Sequence, residues 1–333
     1  MQTKRALLVG IDHYRGMALK GCVADATEMA WLLHKNPDNT NNYDINLVVS
    51  GDGKSEITRS VLRGLLRKLF ANSTGMDLFF FFAGHGSQSP WGAELLPQDY
   101  PRTGDGVSVN DVVTLANASA ASEVVIILDS CFAGDAGNLK GFQSDELSSE
   151  FRFGKALLRE GVTILSASRP TEGAAEEHGH GSFTKLLLQG LEGGAADHLG
   201  NVSALSLYEF ASRAFGAFEQ RPMLKSHLTR PSILRNCKSA ITPEVFANIL
   251  KYFPSATAKV RLCPGYEGKR PIPKGRRLSA EQEAFDYFKL LRNTGLLKTE
   301  NDIDLYYAAI KSKNVYLTPT GQYLWRLAKK DSD

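Results

Sequence analysis

Two residues with reactive side chains, His85 and Cys131, each follow a run of apolar residues that is long enough for one β-strand. His85 comes after residues 78–83, and Cys131 comes shortly after residues 124–128. An imidazole beside a thiol favours the thiolate, which is the attacking form of a cysteine. Each residue also has a simpler explanation, because histidines occur in turns and a lone cysteine is usually a small buried hydrophobe. Together they predict nucleophilic catalysis by a Cys–His pair.

The elements that must position this pair form a repeating pattern. In the first 235 residues, short apolar runs alternate with amphipathic stretches, which is typical of an α/β protein with a mostly parallel sheet flanked by helices. The predicted strands are residues 6–11, 45–49, 78–83, 124–128 and 162–167. Because the carboxyl ends of parallel strands meet at one edge of a sheet, His85 and Cys131 are expected to lie together there.

Helices are predicted between these strands, at residues 25–34, 109–116, 183–191 and 207–218. One more helix is expected to begin with Ser55 as its N-cap, since Ile57, Val61, Leu65 and Leu69 recur every four residues and would face the sheet. Glycines flank His85 at positions 84 and 86. They are expected to let the backbone turn sharply after the strand.

The chain is predicted to contain two domains, residues 1–238 and 239–333. Residues 132–160 are rich in Gly, Ser, Asp and Glu without an apolar period, so they are expected to form a long exposed loop. After residue 240 the pattern becomes mainly helical, with one short strand at residues 315–317 before a basic last helix, an order that is faintly winged-helix-like. Residues 1–239 carry 23 Lys+Arg against 26 Asp+Glu, whereas residues 240–333 carry 16 against 10.

Composition excludes several classes of protein. The hydrophobic share of 43% and the charged share of 23% are ordinary for a globular protein. No apolar run approaches the roughly 20 residues of a membrane-spanning helix, and no signal-peptide pattern follows the N-terminus, so a cytoplasmic location is expected. The four cysteines, Cys22, Cys131, Cys237 and Cys263, are too scattered for a disulfide framework or a zinc site. No metal and no cofactor are therefore expected.

The ordered motifs of this chain resemble the caspase-like cysteine peptidases of clan CD, family C14, and within them the metacaspase and bacterial branch. The resemblance covers residues 4 to about 235. Its segments are residues 6–11, 19–26, 84–86, 95–99, 129–134, 165–168 and 181–184. The 46 positions from His85 to Cys131 agree with the spacing of about 50 in caspases. A caspase–haemoglobinase-like fold is implied.

The resemblance also implies which residues bind the substrate. True caspases carry a Gln-Ala-Cys motif and an arginine-lined pocket, whereas this chain has Asp129 two positions before Cys131. By resemblance to metacaspases, Asp25 and Asp129 would line the S1 pocket and hold an Arg or Lys side chain of a protein substrate. The alternatives are a helix cap for Asp25 and a loop position for Asp129. The N–H groups of Gly86 and Cys131 would form the oxyanion hole.

Further expectations concern activation. The long loop matches a family segment that is often cut, and its Lys140, Arg152, Lys155 and Arg159 are possible autoprocessing sites. Some metacaspases depend on calcium, a question that the sequence leaves open. The resemblance implies an activated effector in bacterial defence or regulated cell death, with an activating protein or small nucleotide-like messenger at the C-terminal domain. No third catalytic residue is evident.

Two other functions compete with the peptidase hypothesis. The chain could be a catalytically silent scaffold, although His85, Cys131, Asp25 and Asp129 are all retained. It could also be a regulator whose basic C-terminal domain binds nucleic acid, but the excess charge alone is weak support, since it is often only a solvated face. The aromatic residues of this domain are expected to form its own core. They are Phe285, Tyr306, Tyr307 and Trp325.

Overall fold

The computed structural model describes residues 3–51, 53–89, 92–101, 106–131, 157–167, 182–215, 222–239, 241–266 and 280–330. The chain forms two compact units, Met1–Lys238 and Ser239–Asp333. Across the described ranges, no helix combines the length and apolar character that crossing a membrane requires.

The first unit is built on an eight-stranded sheet. Its strands are β1 (Lys4–Gly10), β2 (Asp44–Val49), β3 (Asp77–Ser89), β4 (Gly92–Leu95), β5 (Val107–Ser108), β6 (Glu123–Cys131), β7 (Val162–Ser166) and, after β8 (Asn201–Ser203), β9 (Met223–His227). The central order is β2-β1-β3-β6-β7-β9, in which all neighbours are parallel except β7 and β9. This confirms the predicted α/β class with a mostly parallel sheet.

Helices cover both faces of this sheet. They are α1 (Cys22–His34), α2 (Arg59–Phe70), α3 (Val109–Ala118), α4 (Ser182–Gln189) and α5 (Ala204–Ala214). Phe79 and Phe81 of β3 pack with α1, α4 and α5, whereas Phe80 and Phe82 pack with α2 and α3. Successive side chains of a strand point to opposite faces, so a strand that is covered on both sides is apolar throughout. Strand β8 pairs instead with β10 (Ile233–Asn236) in a separate two-stranded sheet.

Helix α2 begins later than its sequence pattern predicts, and one of the expected core positions, Val61, is exposed. Its N-cap is Thr58 rather than Ser55, with the Thr58 side chain accepting a hydrogen bond from the N–H of Val61. Val61 is 42% exposed, and the buried positions of the helix are Leu62, Leu66, Leu69 and Phe70. The start is fixed from outside the helix, because the carboxylate of Asp99 accepts a hydrogen bond from the N–H of Arg59 at 2.9 Å.

The sequence predicts a sharp turn at His85, but strand β3 does not end there. It continues to Ser89 and pairs with β4 in antiparallel register, with Gly86 opposite Leu95. The two glycines therefore lie within an extended strand.

The second unit contains four helices and a small sheet among its described residues. Its elements are α6 (Pro243–Tyr252), β11 (Lys259–Arg261), α7 (Ala280–Asn293), β12 (Leu297–Thr299), α8 (Leu305–Ile310), β13 (Asn314–Leu317) and α9 (Pro319–Lys330). The sheet is antiparallel in the order β11-β13-β12. The sequence predicted only β13 of these strands, because three-residue strands are too short to show an alternating pattern. The winged-helix-like interpretation stays a prediction.

An aromatic core holds the second unit together. Phe253 and Phe288 are buried with their ring centroids 5.7 Å apart, and the indole N–H of Trp325 donates to the carbonyl of Phe253 at 2.7 Å. Phe285 is also buried, as expected. Tyr307 is 55% exposed, so its expected place in the core was wrong. The short helix α8 turns Leu305, Ala308 and Ala309 inward instead.

Candidate active site

The two reactive residues predicted from the sequence lie opposite each other on neighbouring strands. In the parallel pairing of β3 with β6, Ala83 is aligned with Asp129 and His85 with Cys131. Neighbouring strands are about 4.8 Å apart, so the backbones of residues 85 and 131 are adjacent at the carboxyl edge of the sheet. Positions 83 and 85 lie on one face of β3, and positions 129 and 131 lie on the same face of β6.

The backbone carbonyl of Met17 orients the imidazole of His85. His85 Nε2 lies 2.7 Å from this oxygen. A carbonyl can only accept a hydrogen bond, so Nε2 carries the proton and Nδ1 of the neutral ring keeps its lone pair. Nδ1 is then the nitrogen that can take a proton from a thiol. Sequence reasoning missed Met17, because the group that acts is a main-chain oxygen, which any residue type supplies.

Tyr14 fixes the backbone on which His85 stands. Its hydroxyl accepts a hydrogen bond from the N–H of His85 at 3.1 Å and donates to the carbonyl of Leu96 at 2.9 Å. Its ring lies against the imidazole, with centroids 4.6 Å apart. Burial raises the pKa of Tyr14 above its ordinary value, so the hydroxyl remains a donor. No local pattern indicated Tyr14, because its partners His85 and Leu96 are distant in the chain.

The glycines beside His85 have different roles. A Cβ atom at Gly84 would lie 2.6 Å from the hydroxyl oxygen of Tyr14, so only glycine lets that tyrosine approach. The N–H of His85 bonds to Tyr14, and its carbonyl accepts from Leu96 at 3.0 Å. Because successive peptide groups of a strand face opposite sides, the N–H of Gly86 faces β6, the strand on which Cys131 lies.

Asp25 lies in the first turn of α1 and is 2% exposed. Asp12 caps this helix, since its carboxylate accepts hydrogen bonds from the N–H groups of Cys22 at 2.8 Å and Val23 at 3.3 Å. The helix approaches β1 closely, because a Cβ atom at Gly10 would lie 2.3 Å from the carbonyl oxygen of Cys22.

Three aligned residues on neighbouring strands lead from this helix to Asp129. Gly10 is aligned with Ala83, and Ala83 is aligned with Asp129. The first turn of α1 thus lies beside Gly10, the first of these aligned residues. Strands β1 and β6 are two strand spacings apart, which is about 10 Å. The structure brings Asp25, His85, Asp129 and the backbone of Cys131 to one edge of one face.

Thr184 of α4 holds the carboxylate of Asp129. Its hydroxyl donates to Oδ2 of Asp129 at 2.6 Å, and both side chains are buried. Asp129 belongs to strand β6 rather than to a loop. A buried carboxylate needs hydrogen bonds or a counter-charge to stay ionised, and Thr184 supplies one such bond. Thr184 belongs to residues 181–184, one of the segments that resemble the family, but the sequence assigned it no contact.

Arg159 has a structural role in the described part of the predicted loop. Its guanidinium donates to the carbonyls of Ala116 at 3.1 Å and Ala121 at 2.9 Å, at and beyond the end of α3. Cleavage after Arg159 would require this side chain to leave these bonds. The other predicted processing residues, Lys140, Arg152 and Lys155, lie outside the described residues.

Comparison with known proteins gives matches over the first unit. A family model for the caspase domain, peptidase C14, matches residues 3–233. Metacaspase-1 of Plasmodium falciparum is 29% identical over 154 residues, which are 41% of this chain and 25% of that protein. Metacaspase-1A of Aspergillus oryzae is 28% identical over 153 residues, which are 41% of this chain and 36% of that protein. The chain thus spans about a quarter to a third of the length of these curated relatives.

Solved structures also match this chain over about two-thirds of its length. Caspase-1 from Spodoptera frugiperda aligns with a TM-score of 0.48 and 12% identity, over 72% of this chain and 92% of that structure. A Geobacter sulfurreducens protein of known crystal structure aligns with a TM-score of 0.48 and 18% identity, over 68% of this chain and 94% of that structure.

Proposed function

This chain belongs to the caspase domain family, and on that premise we propose that it is a cysteine endopeptidase that cleaves proteins after arginine or lysine. The observation that carries the proposal is the register of β3 and β6, in which His85 and Cys131 are paired. A strand pairing of this kind needs no loop to bring base and nucleophile together. His85 and Cys131 would then form the catalytic dyad.

His85 activates the thiol of Cys131 in this mechanism. The Met17 carbonyl holds the proton on Nε2, so Nδ1 is the base that accepts the thiol proton. The resulting imidazolium stabilises the thiolate, which attacks the carbonyl carbon of the scissile peptide bond. Met17 therefore acts as a positioning residue through its backbone.

The tetrahedral intermediate carries its negative charge on the former carbonyl oxygen. The N–H groups of Gly86 and Cys131 would donate to this oxygen, because the Gly86 N–H faces the strand of the nucleophile. His85 then gives its proton to the leaving amine, and the acyl-enzyme forms. Water, deprotonated by the same imidazole, hydrolyses the thioester and restores the thiol.

Two buried carboxylates support the preference for a basic residue at P1. Asp25 and Asp129 stand at the same edge as the dyad and are 2% and 1% exposed. Charge-assisted hydrogen bonds to a guanidinium or ammonium group would compensate such carboxylates, whereas an aspartate side chain would be repelled. Selectivity for arginine or lysine, and not for aspartate, follows.

Fluorogenic peptides that differ only at P1 test this function. We expect cleavage of arginine and lysine peptides and none of the aspartate peptide, complete loss with Cys131→Ala, and about 10²- to 10⁴-fold lower kcat with His85→Gln. Asp129→Asn should lower kcat/KM for arginine peptides. Cleavage that persists in the Cys131→Ala protein, or a preference for aspartate, would contradict the proposal.

An enzyme that awaits an activator would be silent in the peptide assay. A second experiment therefore maps the new protein N-termini in cells that express the wild type or Cys131→Ala. We propose a cytoplasmic zymogen that serves as an effector in regulated cell death or defence, with its activator at the second unit. Identical N-termini from both proteins, in the presence of an activating stimulus, would favour the silent scaffold.

A further inference from the structure

The small sheet of the second unit presents a row of basic residues around one tyrosine. In the antiparallel register, Lys259 of β11 and Lys298 of β12 are both aligned with Tyr316 of β13. Two residues further along the strands, and on the same face of the sheet, Arg261 is aligned with Asn314. Neighbouring strands are about 4.8 Å apart, so the two lysines flank the tyrosine at nearly equal distances.

This face of the sheet is directed outward. Leu297 and Thr299 of β12, and Val315 and Leu317 of β13, are buried on the opposite face. Alternation along each strand therefore turns Lys298 and Tyr316 away from the core.

Lys259, Arg261 and Lys298 are exposed, and Tyr316 is half-buried. The tyrosine is thus partly accessible to solvent between two cations.

No acidic side chain of the described residues pairs with the cations of this face. Within the described part of the chain, Lys259, Arg261 and Lys298 form neither an ion pair nor a side-chain hydrogen bond, while other basic residues of the unit do. The nearest acidic group along the strands is Glu300, whose carboxylate is already bound to Lys313 at 3.2 Å and to the side chain of Asn314 at 2.8 Å. Three like charges within a few strand spacings repel each other, and an anionic ligand would relieve that repulsion.

We infer that this basic sheet face, formed by Lys259, Arg261, Lys298 and Tyr316, binds single-stranded nucleic acid. Lysine and arginine attract phosphates, and a base released from its stack can lie on the ring of Tyr316. Flat sheet faces that combine cations with an aromatic platform bind single strands in this way. The excess charge of the C-terminal region alone was weak support for nucleic acid, and the placement of Tyr316 between two cations provides the missing observation.

Single strands fit this face better than duplexes do. The bases of a duplex are stacked inside the helix, so a duplex would use only the cations and leave Tyr316 without a role. A single strand uses both chemistries. The contribution of Tyr316 therefore distinguishes the proposed site from ordinary attraction between a basic surface and a polyanion.

Fluorescence anisotropy of the full-length protein with labelled 20-nucleotide single-stranded DNA and RNA of mixed sequence tests the site. We expect Tyr316→Ala to weaken binding about 5- to 150-fold and Tyr316→Phe, which keeps the ring, to bind nearly as the wild type does. Lys298→Gln and Lys259→Gln should each weaken binding and reduce the slope of log affinity against log salt by about 0.7. The same strand as a duplex should bind more weakly than either single strand.

Matched controls lie on helix α9 of the same unit. Tyr323→Ala removes another exposed tyrosine, and Arg326→Gln removes another exposed arginine without an ion pair. Neither should change affinity by more than about twofold, and circular dichroism should show that every variant is folded. Absence of binding, equal losses in the α9 variants, or a Tyr316→Ala protein that binds as the wild type does would overturn the inference. Because binding is measured directly, the result does not depend on peptidase activity.

Discussion

At the scale of single residues, the site depends on groups that orient the reactive side chains. The hydrogen bond to the Met17 carbonyl places the proton of His85 on Nε2. The Tyr14 hydroxyl bridges the N–H of His85 and the carbonyl of Leu96, which do not bond to each other directly. A buried donor or acceptor left without a partner costs about 1–3 kcal/mol, so such bonds hold the end of β3 firmly. The orientation of the His85 ring and backbone is therefore set by Met17 and Tyr14.

Thr184 offers the sharpest test at this scale. Thr184→Val removes the hydroxyl that donates to Asp129 while keeping the shape of the side chain. Hydrogen bonds to charged groups contribute about 1.5–3 kcal/mol, so we expect about a 10-fold or greater fall in kcat/KM for arginine peptides, mainly through KM. Steady-state kinetics of the purified variant measures the change.

Two variants serve as controls for this prediction. Thr184→Ser keeps the hydroxyl and should retain most of the activity. Thr163→Val removes another buried threonine hydroxyl, which bonds to Ser226 at 2.8 Å on the β7–β9 pair, and should leave KM unchanged. An equal rise of KM in Thr184→Val and Thr163→Val would show that Thr184 acts only through stability.

At the scale of elements, the site depends on how closely α1 approaches the end of β1. The contact between Gly10 and the carbonyl of Cys22 leaves no space for a Cβ atom. The helix carries Asp25 in its first turn, so any displacement of the helix moves this carboxylate. Packing of one helix thereby sets the geometry of the proposed S1 pocket.

Gly10→Ala tests this dependence. The new methyl group would lie 2.3 Å from a backbone oxygen, so α1 must shift, and we expect a loss of about 1–3 kcal/mol of unfolding free energy together with weaker cleavage of arginine peptides. Denaturant unfolding and peptide kinetics report the two effects.

The matched control is Gly64→Ala in helix α2, where a Cβ atom would meet nothing within 4 Å. This change should stabilise the protein by about 0.5–1 kcal/mol, because alanine favours a helix interior. A Gly10→Ala protein as stable and active as the wild type would show that α1 is not fixed by this contact.

At the scale of the whole molecule, the chain combines a caspase-family unit with a second unit that has its own core. Residues 3–233 match the family model, and the second unit packs around Phe253 and Phe288. The sheet of the first unit holds the reactive pair, and the basic sheet face belongs to the second. The proposed catalysis and the proposed ligand binding therefore belong to different compact units of one chain.

Autoprocessing is a prediction at this scale. If the enzyme cuts its own long loop, mass spectrometry of the incubated protein should find new N-termini at Gly141, Phe153 or Ala156, which follow Lys140, Arg152 and Lys155. A fragment that begins at Glu160 is not expected, because the guanidinium of Arg159 is bound to the end of α3. Cys131→Ala should remain intact. Fragments that start at Glu160 would show that these bonds do not protect Arg159.

The sequence by itself determined the five parallel strands of the central sheet, their common carboxyl edge, and the presence of His85 and Cys131 on it. These features depend on local apolar runs and on a general rule for parallel sheets, which short stretches of chain reveal. Only the tertiary structure decided that Tyr14, Met17 and Thr184 orient the site, and that Thr58 rather than Ser55 begins α2. Tyr14, Met17 and Thr184 lie 55 to 71 positions from the His85 and Asp129 groups that they orient, so no local pattern encodes these contacts. The start of α2 depends on Asp99, which lies 40 positions from its partner Arg59. The basic sheet face depends in the same way on the pairing of strands of three and four residues, which only folding aligns.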